Sequence, residues 1–199
     1  MPWIPRSFPV EIRRKPELGD LADISSEELE HAEVEGWLAG NRCYRDMRGF
    51  SWDEVRAALD LETDIINRLK TAEHPEAELA AFLELQATSF EDEPALWGLD
   101  IGVASATIAM SAYGATPVSS CNAGAFGGQH HAKYPYVAFF LPKELALDVL
   151  LAAEDSDVGL NSDENGIAQI YGRGEMDLVR FAETSWRRYG GLRNPASTP

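Results

Sequence analysis

The stretch Val158–Tyr171, VGLNSDENGIAQIY, decides the fold. Asn165-Gly166 is the strongest short-range signal for a tight hairpin, because the favoured turn needs positive φ at its central residues. It predicts antiparallel strands over Val158–Glu164 and Ile167–Tyr171. On the N-terminal side, Pro142 opens a helix running to about Glu154. Before it, Tyr136–Leu141 is rich in β-branched and aromatic residues and reads as a strand, with Pro117–Ser120 as a shorter one. On the C-terminal side, Glu175–Tyr189 places Val179, Ala182, Trp186 and Tyr189 on one helical face. The tail from Gly190 to Pro199 is expected to be disordered.

Towards the N-terminus the period becomes helical. Ile24-Ser25-Ser26-Glu27-Glu28-Leu29 has capping-box spacing at Ser25/Glu28 and a hydrophobic staple at Ile24/Leu29. The helix it opens is expected to stop near Gly40. Phe50-Ser51-Trp52-Asp53-Glu54-Val55 repeats that grammar ahead of a helix carrying Leu59, Ile66 and Leu69 on one face. His74-Pro75 starts a third helix, with Leu79, Phe82, Leu83 and Phe90 inward. Glu91-Asp92-Glu93-Pro94 predicts a fourth running to about Tyr113, with Gly98, Gly102 and Ala106 leaving one face free for close approach.

The order is three helices followed by α-β-loop-β-α-β-β-α. One apolar sheet face must be covered by helices, so the fold class is α+β with a sheet of about four strands. The organisation read from this is an extended Pro-rich arm (1–16), an acidic helical subdomain (17–93), an α+β domain (94–189) and the tail (190–199).

Charge sharpens the division. Of the formal −16, residues 17–100 carry 22 Asp/Glu against six Lys/Arg, whereas residues 1–16 hold four bases and one acid. Such a field repels a nucleic-acid backbone, so nucleic-acid binding is excluded as an expectation. The best membrane-span candidate, Leu96–Tyr113, contains Asp100 and is built of small residues, so no membrane association is expected. The first residues lack the apolar run of a signal peptide, and Cys43 and Cys121 show no paired spacing. Together these suit a cytoplasmic protein with free thiols.

Reactive side chains and backbone freedom coincide in Ser119–Lys133, SSCNAGAFGGQHHAK. A thiol becomes a useful nucleophile when an imidazole lowers its pKa, so Cys121 with His130 or His131 has the parts of an acyl-transfer or hydrolase site. Gly124, Gly127 and Gly128 would let backbone N–H groups converge on developing negative charge. The competing reading makes Cys121 a small buried hydrophobe under a glycine-rich turn. A third reading makes the loop a non-covalent pocket lined by Ser119, Ser120, Asn122, Gly124, Phe126, Gly127, Gly128, Gln129 and Tyr134.

No metal or cofactor is expected. Zinc lacks its usual ligand spacing. The loop from Asn161 lacks the bidentate Glu of a calcium loop, since Gly172 stands there. Gly124–Gly128 has the wrong order for a dinucleotide fingerprint. Two functions remain: binding of a small-molecule ligand at the 119–133 loop, with or without chemistry at Cys121, and an acidic interaction module docking a basic protein partner. The latter rests on charge alone, by analogy with immunity and antitoxin proteins.

Overall fold

The computed structural model describes residues 4–15, 19–88, 95–127 and 132–190. In chain order these form α1 (Ser26–Glu35), α2 (Trp52–Thr71), α3 (Pro75–Thr88), α4 (Ala104–Tyr113), β1 (Thr116–Cys121), β2 (Tyr136–Phe140), α5 (Ala146–Asp155), β3 (Gly159–Ser162), β4 (Ala168–Tyr171) and α6 (Asp177–Ser185). The class is α+β: three N-terminal helices on an α-β-loop-β-α-β-β-α unit with one four-stranded antiparallel sheet. The expected boundary near residue 93 and the tail beyond Gly190 lie outside the described residues.

Both capping boxes form. The Ser25 hydroxyl accepts from the Glu28 N–H at 3.2 Å while the Glu28 carboxylate accepts from the Ser25 N–H at 2.9 Å, and Ser51/Glu54 does the same at 3.3 and 2.7 Å. Helix α1 stops earlier than expected, because Gly36 (φ +65°) takes the left-handed cap. Gly40 instead joins Ala39 in a tight turn closed by reciprocal hydrogen bonds between Leu38 and Asn41.

The larger departure is at α4. A helix from the Glu91–Pro94 signal to Tyr113 is expected, yet α4 begins only at Ala104. Leu96, Trp97 and Gly102 have φ of +54°, +52° and +94°, values that no right-handed helix accommodates. A Cβ on Gly102 would press to 3.1 Å from the Phe126 ring and 3.2 Å from the Glu175 carbonyl, so glycine is required there. The α4 N-terminus has no side-chain cap of its own. Glu62 of α2 supplies one: its carboxylate accepts from the N–H groups of Gly102, Ala104 and Ser105 at 2.8, 3.0 and 3.1 Å, and from the Ser105 hydroxyl.

The strand order is β1-β2-β4-β3. Val137, Phe139, Leu160, Ala168 and Ile170 belong to the main core, which continues through α4 and α6 to Val55, Leu59, Ile66 and Leu69 of α2. A smaller cluster forms where Val118 and Phe140 meet Leu29 and Ala32 of α1 with Leu38 and Tyr44. The chain between α1 and α2 is thereby held beside β1.

Residues 4–15 run extended past the other edge of the sheet. Ser7 pairs with Gly174 and Arg14 with Leu160, and the Leu160 N–H donates to the Arg13 carbonyl at 2.7 Å. This covers part of the open edge of β3, which would otherwise offer its backbone groups to another strand. No helix among the described residues is long and apolar enough to cross a membrane.

Candidate functional site

Segment 121–127 is built almost wholly for structure. The Asn122 side chain is buried; its Oδ1 accepts from the Gly124 N–H at 3.0 Å and its Nδ2 donates to the Ile101 carbonyl at 3.0 Å. Glu62 accepts from the N–H of that same peptide group, at Gly102, so the Ile101–Gly102 peptide is held at both its carbonyl and its N–H. The Gly124 carbonyl accepts from the Arg6 guanidinium at 2.8 Å. Phe126 is buried against Gly102, Gly127 lies against Leu79, and Tyr134 packs on Tyr171 with ring centroids 5.1 Å apart. Gly128, Gln129, His130 and His131 lie outside the described residues.

Cys121 closes β1 opposite Tyr136, and its Sγ accepts from the Ala123 N–H at 3.3 Å. It is 4% exposed, whereas Cys43 is exposed; neither is joined in a disulfide.

Ser119, Ser120 and Cys121 belong to a different feature from the loop that follows them. Together with residues 39–45, Trp97–Asp100 and Tyr136 they line a groove of about 1420 Å³. That exceeds the ~300–1,000 Å³ of an ordinary small-molecule pocket and describes an open cleft. Its outer wall is set by local chemistry. The turn at Ala39-Gly40 reverses the chain after α1, and Asn41 then ties it to the strand. Its Nδ2 donates to the Val118 carbonyl at 2.8 Å while its Oδ1 accepts from the Cys43 N–H at 2.9 Å. The register slips between Pro117 and Ser119, so a bulge at Val118 sits where the loop attaches. Bulges re-aim side chains at such points.

Two further properties mark the groove. Its walls include Ala39 and Trp97, both non-glycine residues at positive φ, a costly conformation that concentrates at functional sites. Tyr44, also in the lining, has a buried hydroxyl with no hydrogen-bond partner among the described residues, and burial pushes that phenol up to about 12, with Asp46 adding to the shift. Arg48 holds the Asp46 carboxyl below its usual range through hydrogen bonds of 3.0 and 2.7 Å.

The residues missed in the sequence are Asn41, Arg42, Cys43, Arg45, Trp97 and Asp100. A signal was present: Arg42, Arg45 and Arg48 are half of the six bases in the acidic stretch 17–100. Among the described residues no cluster of three or more His, Cys, Asp or Glu side chains is arranged to hold a metal ion. No known protein family, curated protein or solved structure matches the chain.

Proposed function

We propose that this chain binds a small organic ligand in the groove between residues 39–45 and β1, with Ser119, Ser120 and Cys121 forming one wall. The observation that carries this is the convergence of that wall with a loop tied to it by Asn41. The strained backbone at Ala39 and Trp97 and the orphaned Tyr44 hydroxyl on the same walls add support. The proposal is one of binding: an acyl-transfer step through Cys121 needs a base, and the histidines named for it lie outside the described residues.

Disulfide capture tests it. A library of disulfide-capped fragments is offered to a Cys43→Ser variant under partial reduction. Selective capture of a few fragments at Cys121 in the folded protein is expected. Uniform capture would show an accessible thiol with no selective site beside it, and labelling only on unfolding a thiol that faces packed protein; either would end the proposal.

The docking of a basic partner keeps one observation in its favour. Val34 is 86% and Trp37 51% exposed at the end of α1, a helix with acids in its first turn and no base in its last. Exposed apolar side chains on a helix of this acidic sequence, SEELEHAEVE, suit a cationic amphipathic surface. A salt-sensitive quench of Trp37 fluorescence by a lysine-rich amphipathic peptide, absent in Trp37→Phe, is the corresponding test.

A further inference from the structure

The arginines of this chain divide into two groups. Carboxylates outnumber Lys and Arg by 33 to 17, so a guanidinium has no shortage of partners. Among the described residues every arginine but three has taken one. Arg56 pairs with Asp60, Arg68 with Asp64, and Arg187 with Glu183, each one helical turn away. Arg6 is the first exception, and its guanidinium is engaged by the Gly124 carbonyl. The others are Arg42 and Arg45, and both line the groove.

Neither makes an ion pair among the described residues. Arg45 has one long contact, Nη1 to the Trp97 carbonyl at 3.4 Å. Arg48, three residues further on, shows the contrast within one segment, since its fork closes on both oxygens of Asp46. Two guanidinium forks without a carboxylate, on the wall of one cleft in a strongly acidic protein, are placed to receive an oxyanion from outside. Arginine matches carboxylate and phosphate through paired N–H donors in a way that lysine does not.

We infer that the ligand is a small organic anion, a carboxylate or phosphate monoester, whose charged end is taken by Arg42 and Arg45. This rests on the groove being the binding site. Trp97 and Tyr136 offer aromatic surface to the rest of the molecule. The overall −16 field opposes anion approach, so affinity depends on Arg42 and Arg45 rather than on steering.

The test uses benzoate and phenyl phosphate as probes, with benzamide as the uncharged isostere of benzoate and inorganic phosphate as the head alone. Binding is read by ligand-observed NMR at millimolar concentration on wild type, an Arg42→Gln/Arg45→Gln double variant, and Arg48→Gln. At least one aromatic anion is expected to bind, to outcompete benzamide, and to lose about tenfold or more in the double variant, a change equivalent to ~1.4 kcal/mol. Arg48→Gln should bind as wild type does. Preference for benzoate identifies a carboxylate ligand, and preference for phenyl phosphate a phosphate ester. If benzamide binds as well as benzoate and the double variant is unchanged, the anion assignment is overturned while the groove survives. If no probe binds and no fragment is captured at Cys121, both fall.

Discussion

Segments 121–127 and 39–45 are arranged in opposite ways. Segment 121–127 concentrates the residue types usually associated with chemistry, and the described structure uses nearly all of them internally. Asn122 engages both ends of its amide, Phe126 fills space beside Gly102, and the Gly124 carbonyl is occupied by Arg6. Segment 39–45 is an interhelical connection, yet it leaves two guanidinium groups beside a cleft without a carboxylate among the described residues. A side chain whose bonding capacity is filled from within the fold has little left for a ligand. The lesson is to ask which polar groups are still unsatisfied, rather than which residue types are present.

Substitutions can break this contrast, and the largest effect should come from the support beneath segment 121–127. Glu62→Ala leaves the N–H groups of Gly102, Ala104 and Ser105 buried without acceptors, each costing ~1–3 kcal/mol. A loss of roughly 4 kcal/mol or more in chemical denaturation is expected, enough to threaten folding. Next comes Asn122→Ala, which removes two buried hydrogen bonds and should cost about 2–3 kcal/mol. Gly102→Ala forces a Cβ onto positive φ and into the Phe126 ring, for a comparable cost of about 2 kcal/mol. At the far end, Arg42→Gln/Arg45→Gln should leave stability within ~0.5 kcal/mol of wild type, as surface changes that lose no more than one long, exposed contact do. A stability loss there as large as that of Asn122→Ala would erase the contrast.

Glu62 adds a pH dependence whose sign is fixed. Burial raises its pKa from the usual carboxylate range, with the Ser105 hydroxyl and the three N–H donors pulling the other way and failing to cancel it. A group with a raised folded pKa contributes stability fully below its unfolded pKa and loses it as pH rises through the folded value. The stability advantage of wild type over Glu62→Gln should therefore be greatest in acid, below the ordinary Glu pKa of about 4.3, and shrink towards neutral pH. An advantage that grows with pH would show that the donors hold the carboxylate ionised.

Much of the fold was legible because local signals and tertiary structure agree. Ser25/Glu28 and Ser51/Glu54 cap the helices they announce, and the hairpin announced by Asn165-Gly166 forms, though through a longer connection from Ser162 to Ala168 in which Gly166 (φ +76°) takes positive φ and Asn165 does not. The α4 start was not legible. Its cap lies 40 residues away on α2, and no periodicity in residues 91–113 encodes a carboxylate donated from elsewhere. The candidate site was read by half. Ser119, Ser120 and Cys121 were flagged by composition, whereas the facing wall is a matter of which loop Asn41 ties to Val118. The basic cluster at residues 42–48 was visible as an anomaly of charge, but whether a guanidinium is paired depends on neighbours that sequence alone does not supply.

The most direct test of the contrast observes the arginines themselves. In a protein labelled with nitrogen-15, the side-chain Nε–Hε signals are assigned by single Arg→Lys replacements and followed during titration with benzoate and phenyl phosphate. Arg42 and Arg45 are expected to shift together and saturate with one dissociation constant, while Arg48, closed on Asp46, stays in place. Shifts spread over all the arginines, or movement of Arg48 without Arg42 and Arg45, would contradict this expectation.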